Sequence, residues 1–341
     1  MDKHLIVHVG THKTGTKSIQ LFLDTEYRAL RESGIGLVMA GRIRSADGLS
    51  TPGNHTIAFA LQRDDAEMEL RALTREIEER AAPTVVISSE EFHPLHVQPD
   101  RLRLLASAAA SIGYRTSAIL YLRAQTGYLE SLYAEYLKSY PEMPFDVLLR
   151  DVVRHGEVRE ASGKVLTFDY TRVVEGLQSA FGAQNVAVRP FDVTRPSSAV
   201  IVDFLDTLRA LHGPLALQPP VSDARENTRA TFAAALLAMQ AQAMARNPNA
   251  TPAAMIVHGI GEDPSDPFLL SPLAPLTHDE AHSIAERFAD ANARVREMTG
   301  VIVPGARAED VPSQDDPRWR IAERQRRILD AARAAWFDLG H

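Results

Sequence analysis

Residues 5–23 read LIVHVGTHKTGTKSIQLFL, and the succession of residue types along them sets the architecture. Leu5, Ile6, Val7 and Val9 form a short apolar run ending at Gly10, the composition of a buried strand. A loop rich in Gly, Thr and Lys follows, and from Ser18 to Leu23 the apolar residues recur at helical spacing. A strand, a tight turn and a helix start bring backbone N–H groups and the positive end of the helix dipole to one place, which suits a bound anion. A Walker A loop would read G-x-x-x-x-G-K-[ST]. Gly10 and Gly15 have that spacing, but Thr16 stands where the lysine belongs, Lys17 comes one residue late, and Lys13 lies inside the loop.

Outward from this stretch, apolar runs alternate with helical patterns. Strands are expected at His4–Val9, Gly36–Ala40, Thr84–Ser88, Arg115–Leu122 and Val186–Pro190. Helices are expected at Thr16–Glu32, Ala66–Arg80, Asp100–Ser111, Thr126–Ser139, Thr171–Phe181 and Ser198–Leu211. The alternation predicts an α/β fold: a central, mostly parallel, doubly wound sheet flanked by helices, P-loop-like, with additional C-terminal helices. Ligands of such sheets bind beyond the carboxyl ends of the strands. Later, Arg225–Arg246, Thr277–Thr299 and Pro317–Leu339 read as helical, and Asn249–Pro275 as a Pro/Gly-rich loop or lid. One domain over residues 1–341 is expected, with an α/β core at 1–210 and a helical and loop extension at 211–341.

Composition narrows the function classes. The 341 residues are 45% hydrophobic and 24% charged, enough for a sizeable core. A net charge of −7 argues against a general nucleic-acid binder. No cysteine is present, so thiolate metal sites and disulfides are out. The chain runs almost at once into its first strand without a signal-peptide pattern, and no run of 18 apolar residues occurs. A soluble cytoplasmic protein without stable membrane insertion is the expectation. Oligomeric state is not legible.

Three expected strand ends carry polar clusters: the first loop; Ser89, Glu90, Glu91, Phe92 and His93 after VVIS; and Arg123 after AILYL, with Ser131 eight residues later and Tyr133 beyond it. A guanidinium offers forked donors to a phosphate, and a hydroxyl adds one more; Arg123 pairing with Glu130 or Glu135 is the purely structural alternative. The segment HKTGT (His12–Thr16) resembles the 5′-phosphosulfate-binding loop of sulfotransferases that use 3′-phosphoadenosine 5′-phosphosulfate (PAPS). The segment YLRAQTGYLESLYAEYLKS is similar to the 3′-phosphate motif of the same superfamily. The likeness spans roughly residues 1–210 and is closest to bacterial relatives of the carbohydrate-type enzymes, with softer cues at Val186–Leu211 and in ENTRATFAAALL. No match to the Gly-rich C-terminal phosphate loop of the cytosolic enzymes is found.

The resemblance implies sulfuryl transfer from PAPS to a hydroxyl or amine of a small-molecule or carbohydrate acceptor, with no metal required. It implies Lys13 as the catalytic lysine, with His12, Lys13, Thr14, Gly15, Thr16, Lys17 and Ser18 around the 5′-phosphate and Arg123 and Ser131 on the 3′-phosphate. Lys17 departs from the pattern, since threonine or serine is usual there. A glutamate commonly serves as base in the carbohydrate-type relatives. Glu90 is favoured here, with Glu91 a salt-bridge partner and His55 and His93 as alternatives. In an extended stretch Glu90 and Glu91 would face opposite sides. The competing enzyme reading is a P-loop kinase or nucleotide hydrolase using ATP–Mg²⁺. His278 and His282 have zincin spacing, but Thr277 with Glu280 makes a capping box instead, and no metal site is expected.

Overall fold

The central strand is buried along nearly its whole length, and only a sheet covered on both faces accommodates such a strand. In the computed structural model, which describes residues 3–44, 50–63, 65–140, 143–215, 217, 231–246 and 267–338, that strand is β1 (Lys3–Gly10). It lies in the middle of a five-stranded, wholly parallel sheet with β2 (Ile35–Leu37), β3 (Thr84–Ser89), β4 (Tyr114–Leu122) and β7 (Val186–Pro190), in the order β2-β3-β1-β4-β7. Two three-residue strands, β5 (Glu157–Arg159) and β6 (Val165–Thr167), lie outside it. The register aligns His8 with Ser88 of β3 and Gly10 with Tyr121 of β4. Leu5, Val7 and Val9 are as buried as Ile6 and His8, so both faces are covered.

Among the described residues the helices are α1 (Thr16–Thr25), α2 (Tyr27–Glu32), α3 (His55–Arg63), α4 (Glu67–Arg80), α5 (Pro99–Ser111), α6 (Gln125–Ser139), α7 (Phe145–His155), α8 (Tyr170–Phe181), α9 (Ser197–His212), α10 (Phe232–Arg246), α11 (His278–Arg287), α12 (Ala289–Thr299) and α13 (Arg318–Asp338). One face of the sheet packs on α1, α2 and α9: Ile6, Val86, Ile119 and Tyr121 meet Ile19, Phe22, Leu30, Phe204 and Leu208. β1 also carries two histidines inward, each matched by a serine of a neighbouring strand. His4 Nε2 lies 2.8 Å from Ser117 Oγ, and His8 Nδ1 lies 2.8 Å from Ser88 Oγ.

The chain divides into two compact units that interleave in sequence. The first comprises residues 1–123, 159–227 and 291–304 and holds the sheet. The second comprises residues 124–158, 228–290 and 305–341. Neither coincides with residues 1–210 or 211–341. Within the second unit α6 packs on α7, α10 and α11. Arg333 of α13 donates to the Tyr133 hydroxyl at 2.5 Å, and the rings of Tyr133 and Phe145 meet edge to face. The capping box of Thr277 and Glu280 opens α11 as expected.

The differences from expectation have local causes. Thr16–Glu32 is two helices, broken at Glu26, where φ −92° and ψ 15° leave the α region. β2 stops at Leu37 because the Glu76 carboxylate accepts from the amides of Met39 and Ala40, taking them out of the ladder. Residues 90–97 form a 3₁₀ helix, not an extended stretch, and Pro94 sits inside it. α3 and α7 are helices where none was expected. Most of Asn249–Pro275 and the start of ENTRATFAAALL lie outside the described residues.

Candidate functional site

In a doubly wound sheet the ligand crevice opens where neighbouring strands send their connections in opposite directions. Here β1 is followed by β2 on the β3 side, whereas β4 is followed by β7 on the other. The switch point therefore falls between the carboxyl ends of β1 and β4. The loop 11–15 stands at the first of these ends and Arg123 at the second.

The loop is tightly built. Gly10 has no room for a side chain: a Cβ there would lie 2.2 Å from Thr16 Oγ1. Lys13 and Gly15 have φ of +68° and +78°, left-handed backbone that turns the chain back on itself. Thr14, fully buried, donates its hydroxyl to the Thr11 carbonyl at 2.6 Å, so this hydroxyl shapes the loop. Gly15 is the N-cap of α1 and supplies no side-chain cap to the first-turn amides. Thr16 and Ser18 are buried, and Thr16 Oγ1 has no hydrogen-bond partner among the described residues. The side chains of Lys13 and Lys17 are exposed.

Arg123, only 3% exposed, reaches across to this loop: its Nη1 donates to the Lys13 carbonyl at 2.6 Å. Its guanidinium stands over the Phe191 ring at 5.8 Å, and its own carbonyl accepts from the buried Tyr170 hydroxyl at 2.7 Å. Phe191 also closes on Gly15, where a Cβ would come within 3.2 Å of the ring. Ser131 lies on α6, in the second unit, half-buried.

On the other side of β1, the end of β3 carries the candidate bases, and the geometry gives each a different situation. Glu91 pairs with Lys164 at 2.8 Å, the salt-bridge role expected for it. His55, which opens α3, has both nitrogens engaged: Nε2 is 3.2 Å from the Pro52 carbonyl and Nδ1 2.8 Å from Ser89 Oγ. A carbonyl can only accept, so Nε2 is the donor in its contact with Pro52. His93 is fully buried, stacked on His96, with neither ring nitrogen partnered among the described residues. Burial, followed by His96, His12 and Lys164, holds it well below the usual imidazole range. Burial does the same to His12, aided by Lys164, Lys13 and His55. Glu90 accepts from Gln20 Nε2 at 3.3 Å and is half-buried as the first residue of the 3₁₀ helix that follows β3.

Lys164, Gln20 and Phe191 were not singled out by sequence. Lys164 and Phe191 meet the site from far along the chain, Gln20 lies close to the loop but 70 residues from the Glu90 it contacts, and no spacing rule connects Lys164 to Glu91. Among the described residues no group of His, Asp and Glu could hold a metal ion, and none of the helices is long and apolar enough to cross a membrane.

The fold and site define an α/β protein with a glycine-bounded, cationic loop at the switch point of a parallel sheet. No protein-family model, curated protein or solved structure matches the chain.

Proposed function

We propose that this chain is a PAPS-dependent sulfotransferase with a P-loop-like donor site, acting on a hydroxyl or amine of a small-molecule or carbohydrate acceptor. The observation that carries the reading is the hydrogen bond from Arg123 to the Lys13 carbonyl. It joins the two expected anion grips, at strand ends that are neighbours in the sheet. A donor bearing phosphates at both ends of one nucleoside suits two such grips. The buried, unpartnered Thr16 hydroxyl and the uncapped start of α1 supply donors of the kind a 5′-phosphate takes up.

In this mechanism the loop amides and Arg123 hold the donor, and Lys13 neutralises the charge that grows on the departing oxygen. The acceptor oxygen attacks sulfur as its proton passes to Glu90. The S–O bond to the 5′-phosphate breaks, its electron pair leaving with adenosine 3′,5′-bisphosphate. Glu90 is the base of choice because Glu91 is tied to Lys164, both His55 nitrogens are engaged, and His93 is enclosed. The reaction as written uses no metal.

Thermal unfolding in the presence of nucleotides tests this. A ligand bound only by the native state raises stability, by about 2.7 kcal/mol at a hundredfold excess over Kd. Adenosine 3′,5′-bisphosphate without metal should raise the melting temperature. Stabilisation by ATP–Mg²⁺ alone would replace the proposal with the kinase or hydrolase reading.

A further inference from the structure

Gln20 is a buried amide in a place where helix packing alone would be served by an apolar side chain. It lies on α1, one turn beyond the loop, and is 5% exposed. Its Nε2 lies 3.3 Å from Glu90 Oε2, 3.3 Å from Ser88 Oγ and 3.5 Å from the Ser88 carbonyl. Carbonyl and carboxylate oxygens both accept, so the amide nitrogen, not its oxygen, faces Glu90. The surroundings hold it there. Gly53, at φ +106°, lies so close that a Cβ would come within 2.7 Å of both Gln20 Nε2 and His55 Nε2. Asn54 beside it is clamped to Ser88 in both directions: its N–H donates to the Ser88 carbonyl at 2.7 Å, and its Oδ1 accepts from the Ser88 N–H at 3.0 Å.

We propose that Gln20 is the positioning residue for Glu90. It fixes the carboxylate relative to α1, the same helix whose N-terminus forms the phosphate loop, so that base and donor grip keep one separation. The inference rests on the sulfuryl-transfer reading. When the acceptor O–H gives its proton to Glu90, and the new O–S bond forms as the S–O bond to the nucleotide breaks, Gln20 touches none of the reacting atoms. It presents the accepting carboxylate in a single orientation, and orientation of this kind is worth orders of magnitude in rate.

A double-mutant cycle on the full chain tests it, with Gln20→Leu, Glu90→Gln and the pair. Turnover is followed with sulfur-labelled PAPS as transfer to water and to an N-acetylglucosamine oligosaccharide. Gln20→Leu should lower kcat about tenfold with KM for PAPS within about twofold, and the melting shift given by adenosine 3′,5′-bisphosphate should be kept. In the Glu90→Gln background it should cost nothing further. Losses that multiply in the double variant, or an unchanged kcat in Gln20→Leu, would overturn the role. If leucine upsets folding, Gln20→Glu keeps the shape while replacing the donor by an acceptor, and the same absence of further loss is expected. Failure of the unmutated protein to transfer label, with no melting shift from the bisphosphate, removes the sulfuryl reading itself. Label transfer with a multiplicative cycle removes only Gln20.

Discussion

A guanidinium as enclosed as that of Arg123 is costly unless its donors are used. One of them is spent on the Lys13 carbonyl, so the side chain shapes the loop as well as lending it charge. Lysine at this position would keep the charge and lose the fork. Arg123→Lys should therefore weaken adenosine 3′,5′-bisphosphate by about one to two orders of magnitude in Kd, or about 1.4–2.8 kcal/mol, and weaken adenosine 5′-phosphate far less. Calorimetric titration of the two nucleotides reads the difference, and equal losses would detach Arg123 from the 3′-phosphate. Lys13 offers a cleaner test. Its side chain is exposed and its left-handed backbone suits alanine no worse than lysine. Lys13→Ala should leave the melting temperature nearly unchanged while turnover falls about 10²- to 10³-fold. Unchanged turnover would take the lysine out of the chemistry.

At the scale of elements, α8 packs on the 3₁₀ helix with Gly176 pressed against its backbone. A Cβ on Gly176 would lie 2.2 Å from the His96 carbonyl, a backbone atom that cannot swing aside. Alanine improves intrinsic helix propensity by about 1 kcal/mol, but overpacking costs about 1–3 kcal/mol, so the clash should win. Gly176→Ala is expected to lower stability by about 1–2 kcal/mol in urea titration; a gain would mean that the two elements slide apart freely. The strands that position the site were legible because each buried run is bounded by polar residues or turn formers. β7 was read to the residue, and β1, β3 and β4 to within one at each end. The 3₁₀ helix was not legible, since Pro94 ordinarily signals a break and the tight 3₁₀ turns accommodate it. α3 was hidden behind the Gly/Ser/Pro-rich segment before it. The site was legible where its residues lie in one strand-to-helix stretch. It was illegible where it depends on side chains meeting across the fold, as Gln20 meets Glu90 and Lys164 meets Glu91.

Across the whole molecule, the first unit encloses an unusual set of imidazoles, and this sets how the protein answers to acid. Burial lowers His4 to about 4, with Arg115 adding to it, and lowers His8 to about 3; His12 and His93 are held well below their ordinary value. A histidine that stays neutral when folded takes up its proton only on unfolding. Between the two pKa values the unfolded chain therefore binds more protons, and stability rises with pH. The contribution is complete above about 6.5, the unfolded value, and is lost as pH falls toward the folded values. Each unit of depression is worth about 1.4 kcal/mol at the acid end. Glu76, where burial opposes but the amides of Met39 and Ala40 and Arg80 prevail, adds a loss of the same sign only at lower pH, within the carboxylate range. The interval between 6.5 and about 4.5 thus belongs to the histidines. His93 is the informative one to change: His12, His96 and Lys164 face it, and among the described residues its nitrogens make no hydrogen bonds that phenylalanine would forfeit. His93→Phe should hold or raise the melting temperature at pH 7 and flatten its decline between pH 6.5 and 4.5. Proton uptake on unfolding near pH 5.5 should fall by about one. An identical slope in both proteins would show that His93 already carries its proton when folded.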